Sequence, residues 1–234
     1  MTENKYLIDG FEIFNYLSIE EYQAIKIFSV KWITSLFSSN GLPFINAQSI
    51  ETYHLNSNGC EEIHRSILKA RNRHRVPPEN IHNLLINSKL RKFLCKQGID
   101  DFKLWDEGLG WLAFRLIRPG FGDGYPFSKK DWGPGKGTIS IWVPILGFDT
   151  NQMIAFIRGS NKKEYEKFLP ESSKFIADEF RLKDVVPESE VYRPKLNPGQ
   201  GILFSPQIIH TEDVTKAETT RLSLEFRIIP GFYK

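Results

Sequence analysis

Residues 220–229 read "TRLSLEFRII", and the fold turns on which way this strand faces. Successive side chains of an extended chain point to opposite sides, so Arg221, Ser223, Glu225 and Arg227 share one face and Leu222, Leu224, Phe226 and Ile228 the other. In a half-exposed sheet the polar row faces water. In the alternative, the polar row lines the inside of a barrel and the apolar row packs on helices. Arg221 could then clamp a carboxylate bidentately, with Ser223 adding a hydroxyl donor.

A second stretch repeats the pattern. In "GTISIWVPI", 137–145, Thr138, Ser140 and Trp142 share one face and Ile139, Ile141 and Val143 the other. Between the two lies "NPGQGILFSPQIIHTED", 197–213, a Pro-Gly turn feeding a run that delivers His210 eleven residues before Arg221. A lone histidine is commonly a surface or hydrogen-bonded core residue; one placed just ahead of an Arg-x-Ser strand is a candidate metal ligand.

Further β-rich runs are "WLAFRLIR" at 111–118, "QMIAFIRG" at 152–159 and "GILFSPQ" at 201–207, separated by Gly/Pro-rich turns. The first hundred residues read as helical. "SIEEYQAIKIFSVKWITSLFSSNG" opens with Ser18 and Glu21 at capping-box spacing, and two further helices are predicted at 58–75 and 79–97. Helices followed by strands predict an α+β chain, a sandwich or barrel buttressed by N-terminal helices. We expect one domain, 1–234, with a mainly helical part to 104 and a β core from 105. The charged segment 158–199, with a strand at "KFIADEFR", is expected to act as a lid or substrate loop.

Four elements carry a resemblance to the phytanoyl-CoA dioxygenase family of iron(II)- and 2-oxoglutarate-dependent oxygenases: "FRLIRPG" at 114–120, "KKDWGPGKGTISIWVPI" at 129–145, "LNPGQGILFSPQIIH" at 196–210 and "TRLSLEFRIIP" at 220–230. It covers about residues 105–232 and implies a double-stranded β-helix (jellyroll, cupin-like) core. It also implies Fe(II) held by Asp131 and His210, and 2-oxoglutarate held by Arg221 and Ser223 with Trp142 and Ser140 alongside. Hydroxylation of a small molecule is the outcome implied.

The chain departs from that pattern at one position. Where the family has His-x-Asp, residues 129–131 are Lys-Lys-Asp, and His54, His64, His74 and His82 all fall in the helical half. Lysine must lose a proton before it can ligate, at a cost of roughly 4–5 kcal/mol at pH 7. Three readings stay open. Iron binds through Asp131 and His210, with water, Lys129 or Asp123 completing the shell. Alternatively, Lys129 and Asp131 form an ion pair in place of the metal, leaving a pseudo-enzyme or binding module. Or Lys129 serves as the base of a metal-independent isomerase or lyase. Arg115, Asp123 and Tyr125 are expected to touch substrate, and Lys162, Lys163, Arg181 and Arg193 point to a polar or anionic one.

Other function classes find little support. "GPGKGT" lacks the residues that a phosphate loop needs between its glycines, and "GFGDG" at 120–124 opens no helix. The basic run "RSILKARNRHR", 65–75, has no interleaved aromatics to stack bases, so no nucleic-acid partner is expected. With 234 residues, 41% of them apolar, and a net charge of +3, the chain has material for a packed core. No apolar run predicts a membrane span or leader, and a cytoplasmic location is expected. Cys60 and Cys95 have no CxxC spacing and are expected to be packed thiols. Oligomeric state has no signature in the sequence.

Overall fold

The computed structural model describes residues 9–42, 46–56, 61–70, 76–106, 108, 110–121, 127–130, 137–162, 167–168, 179–182, 186–212 and 216–231. Its elements run β1 (Phe11–Asn15), α1 (Ile19–Ser39), α2 (Ala47–Glu51), α3 (Tyr53–Asn56), α4 (Glu61–Ala70), α5 (Glu79–Leu85) and α6 (Ser88–Lys96). There follow β2 (Phe102–Leu104), β3 (Leu112–Ile117), β4 (Ser128–Lys130), β5 (Ile139–Leu146), β6 (Ala155–Ile157), β7 (Lys167–Phe168), β8 (Glu179–Leu182), β9 (Val191–Tyr192), β10 (Gln200–Phe204), β11 (His210–Thr211) and β12 (Arg221–Pro230). The chain is α+β, with N-terminal helices and two antiparallel sheets.

One sheet has the order β1-β10-β5-β12-β2, with β3 also on β12, and the other β7-β8-β4-β11-β6-β9. Strand β12 decides what each side of the first sheet does. Leu222, Leu224, Phe226 and Ile228 join Ile139, Ile141 and Val143 of β5 in one apolar cluster with Tyr22, Ile25, Ile33 and Phe37 of α1. The apolar row thus packs on the helices. The opposite side carries a second cluster, in which Phe11, Trp142, Ile202 and Phe204 of the first sheet meet Phe156 of the second. Phe11 and Phe156 stack with centroids 4.6 Å apart, joining the sheets. The polar row of β12 therefore faces the space between them.

Two backbone ties hold the helices to that wall. Tyr22 donates its hydroxyl to the Ile145 carbonyl at 2.7 Å, and burial pushes its phenol up to about 12. The Thr220 amide donates to the Glu51 carbonyl at 2.8 Å, fixing the start of β12. Helix α1 itself begins at a capping box: the Glu21 amide donates to Ser18 Oγ at 3.2 Å and the Ser18 amide to Glu21 Oε2 at 2.6 Å. Ser18→Ala should cost about 1 kcal/mol of unfolding free energy, read from the denaturant midpoint at unchanged m-value.

Several expectations are corrected. The helix predicted over 79–97 is two, because Asn87 caps α6 by accepting from the Leu90 amide at 2.9 Å. The predicted helix over 58–75 is described only as Glu61–Ala70. The N-terminal part is not all helix: Phe11–Asn15 forms an edge strand on β10. Segment 158–199 contributes β7, β8 and β9 to the second sheet, and β8, Glu179–Leu182, overlaps the strand expected at "KFIADEFR". Cys95 is exposed, not packed, and its Sγ lies 3.2 Å from Asp100 Oδ1, which raises the thiol pKa. Cys60 lies outside the described residues.

Candidate active site

The polar row is buried. Arg221 and Ser223 are fully enclosed, and Glu225 and Arg227 nearly so. Across the sheet, Trp142 stands opposite Glu225 and Ser140 opposite Arg227, so all of these share the face toward the second sheet. Gly147, just after β5, has φ +77°, and a Cβ there would come within 3.1 Å of Arg221 Cα and 2.4 Å of Gln152 Oε1. Only glycine lets the chain turn so close to the site.

Arg221 lies at the centre. Its Nη1 donates to the Gln152 carbonyl at 2.6 Å and its Nη2 to Glu212 Oε1 at 3.3 Å. Its guanidinium carbon sits 5.4 Å from the Trp142 ring centroid. Gln152 is fixed in turn by donating its side-chain amide to the Thr219 carbonyl and hydroxyl. Burial depresses the basicity of Arg221, and the carboxylate of Glu212 opposes that shift. Farther along the row, Glu225 Oε2 accepts from Arg115 at 3.0 and 2.9 Å, and its Oε1 from Arg227 at 3.4 Å.

The atoms left over are informative. Arg221 Nε, Trp142 Nε1, Ser223 Oγ and Ser140 Oγ are buried with no hydrogen-bond partner among the described residues. The first two can only donate and the hydroxyls can donate. Buried unpaired donors are costly, and a ligand rich in acceptors, such as a dicarboxylate bearing an oxo group, fits this set.

His210 closes the far side. It is buried, with its ring 5.1 Å from that of Phe204. Its Nδ1 lies 2.8 Å from the Ile208 carbonyl; since a carbonyl only accepts, Nδ1 carries the proton and the neutral ring has its lone pair on Nε2, as a metal-binding imidazole requires. The residue paired with His210 on β4 is Ser128, whose buried Oγ has no partner among the described residues. Lys129 lies one register position on, paired with Phe180.

No protein-family profile and no curated protein matches the sequence. Solved structures do match over nearly its whole length. ThoJ, a non-heme monooxygenase in its apo form, superposes with a TM-score of 0.60 at 13% identity, over 97% of this chain and 76% of its own. AviO1 from Streptomyces viridochromogenes Tue57 gives 0.57 at 10% identity, over 97% and 93%. EvdO2 from Micromonospora carbonacea var. aurantiaca, complexed with 2-oxoglutarate, gives 0.53 at 10% identity, over 96% and 88%. The fold is that of the phytanoyl-CoA dioxygenase-like oxygenases.

On this jellyroll the predicted site residues divide. Arg221, Ser223, Trp142 and Ser140 come together on one wall, and His210 faces the same interior through Phe204. Arg115 is on that wall too, with its guanidinium paired to Glu225. Asp131, Asp123 and Tyr125 lie outside the described residues. Ser128 is the residue opposite His210, a register that sequence spacing cannot show. Sequence reading also missed Glu212 and Gln152 as partners of Arg221. The His210-x-Glu212 spacing, which puts both on one face of a strand, was the available signal for the first.

Among the described residues no three His, Cys, Asp or Glu side chains gather as a metal site. No helix among them is long and apolar enough to cross a membrane.

Proposed function

We propose that the protein is a 2-oxoglutarate-dependent oxygenase of a small polar or anionic molecule, with an atypical metal site. The observation that carries this is the buried row of unpartnered donors on β12 and β5. Arg221 Nε and Ser223 Oγ would hold the distal carboxylate of 2-oxoglutarate, with the Trp142 indole N–H and Ser140 hydroxyl available to its other oxygens. His210, held by the Ile208 carbonyl in the tautomer whose lone pair is on Nε2, would ligate Fe(II) together with Asp131. Fe(II) and 2-oxoglutarate bound there would serve to activate O2, with one oxygen atom entering the substrate C–H bond as a hydroxyl and the other entering the succinate formed as 2-oxoglutarate loses carbon dioxide.

The chain's own groups do the remaining work. Phe204, Phe156 and Trp142 exclude water around the ligands, which strengthens each charged contact there. Three guanidinium groups, Arg115, Arg221 and Arg227, stand against the two carboxylates Glu212 and Glu225.

Fe(II) added with 2-oxoglutarate under argon should give a visible absorption band from the metal chelate, lost in His210→Ala and in Asp131→Ala. No band at saturating metal would sink the oxygenase assignment. Ser128 opposite His210 supports a second reading, a metal-free binding module on the same fold; that reading predicts 2-oxoglutarate affinity indifferent to added metal.

A further inference from the structure

The carboxylate nearest the clamp arginine belongs to the chain itself. Glu212 follows His210 by two residues, is 4% exposed, and stands with Oε1 3.3 Å from Arg221 Nη2. A guanidinium taken wholly out of water needs a counter-charge, and Glu212 supplies it in the ligand-free chain. The contact joins one oxygen to one nitrogen, at a length well beyond the roughly 2.8 Å of each bond in a fork-to-fork pair. The other edge of Arg221 is held differently. Its Nη1 rests at 2.6 Å on the carbonyl of Gln152, a residue locked by Thr219 and packed against Gly147. One side of the guanidinium is therefore anchored to backbone and the other to a carboxylate that a better acceptor could displace. Arg221 Nε and Ser223 Oγ, both buried and unpartnered among the described residues, mark where that acceptor would enter.

We propose that Glu212 is an internal competitor that sets cosubstrate affinity: it occupies one edge of Arg221 until a ligand carboxylate displaces it, so that acids whose distal carboxylate reaches the guanidinium bind against this competition and acids without that carboxylate do not. This rests on the reading of Arg221 as the cosubstrate clamp. Two carboxylates beside one buried guanidinium repel each other, so ligand and Glu212 compete. A 2-oxo acid of the same length without the distal carboxylate neither displaces Glu212 nor gains from its loss.

The test is calorimetric titration of 2-oxoglutarate and of 2-oxopentanoate into the wild-type chain and into Glu212→Gln, Glu212→Ser and Glu212→Asp. Removing the charge should tighten 2-oxoglutarate about tenfold or more, as expected when a like charge leaves a contact, and leave 2-oxopentanoate unchanged. Glu212→Asp should stay close to wild type. Glu212→Ser gives a second uncharged side chain if the glutamine variant does not fold. An equal gain for both ligands, or unchanged or weaker 2-oxoglutarate binding in the uncharged variants, overturns the role of Glu212 and leaves the clamp standing. Absence of 2-oxoglutarate binding in wild type and variants alike overturns the clamp itself.

Discussion

Arg221→Lys should weaken 2-oxoglutarate binding by at least about tenfold in a chain that remains folded. Lysine keeps a positive charge beside Glu212, but it loses the planar fork that meets a carboxylate with two parallel bonds and the Nε donor that has no partner among the described residues. Charge-assisted contacts are worth about 1.5–3 kcal/mol each, and burial of the whole side chain places this one at the upper end. Arg221→Ala should abolish binding and also lower stability, because it strands Glu212 in the interior without its cation. Isothermal titration beside thermal unfolding separates the two effects. Wild-type affinity in Arg221→Lys would show that the ligand carboxylate does not sit on this residue.

The second large effect concerns Glu225. Its carboxylate bridges Arg115, with a side chain 15% exposed, and Arg227, at 6%. The Arg227 guanidinium carbon also lies 5.4 Å from the Trp105 ring centroid, so little water reaches it. Removing the shared carboxylate by Glu225→Ala takes from buried Arg227 and part-buried Arg115 the carboxylate that joins them, a change that costs about 3–5 kcal/mol when a buried pair is broken. Equilibrium denaturation should show that loss at an unchanged m-value. The triple variant Arg115→Met, Glu225→Leu and Arg227→Met should recover most of it, since well-packed apolar side chains that replace a whole buried ion cluster are often tolerated without penalty. A Glu225→Ala chain as stable as wild type would mean that water reaches the cluster and that the polar row is not enclosed as described.

The parts of the fold that were legible in the sequence were those in which one residue pattern admits few structures. The alternation of β12 admitted two, and the second apolar row on β5 favoured the one in which both pack on helices. The Ser18–Glu21 spacing marked the start of α1 because the two side chains satisfy each other's backbone amides at that separation. The break before α6 was hidden because Asn87 sits within an otherwise helical pattern, and only its bond to the Leu90 amide shows it acting as a cap. Strand β1 was missed since Phe11–Asn15 earns its place by pairing with β10, nearly two hundred residues on.

The site was half legible for the same reason. Arg221, Ser223, Trp142 and Ser140 follow from strand periodicity alone. Contacts across the fold do not: that Glu212 returns to Arg221, that Gln152 offers its carbonyl, and that Ser128 is the residue opposite His210 depend on how loops and register close the jellyroll. The sequence showed a lysine where an imidazole was expected, but it gave no sign that the strand pairing would set a serine against the histidine.

The most direct test of the central claim, that the inner face of β12 and β5 is the wall of a carboxylate-binding site, is a crystal structure of the chain grown with 2-oxoglutarate. The account predicts the distal carboxylate within hydrogen-bonding distance of Arg221 Nε and Ser223 Oγ, with Glu212 turned away from Nη2. A bound ligand elsewhere, with the Arg221–Glu212 pair intact and the donors of Ser223 and Trp142 still facing no ligand atom, would contradict it.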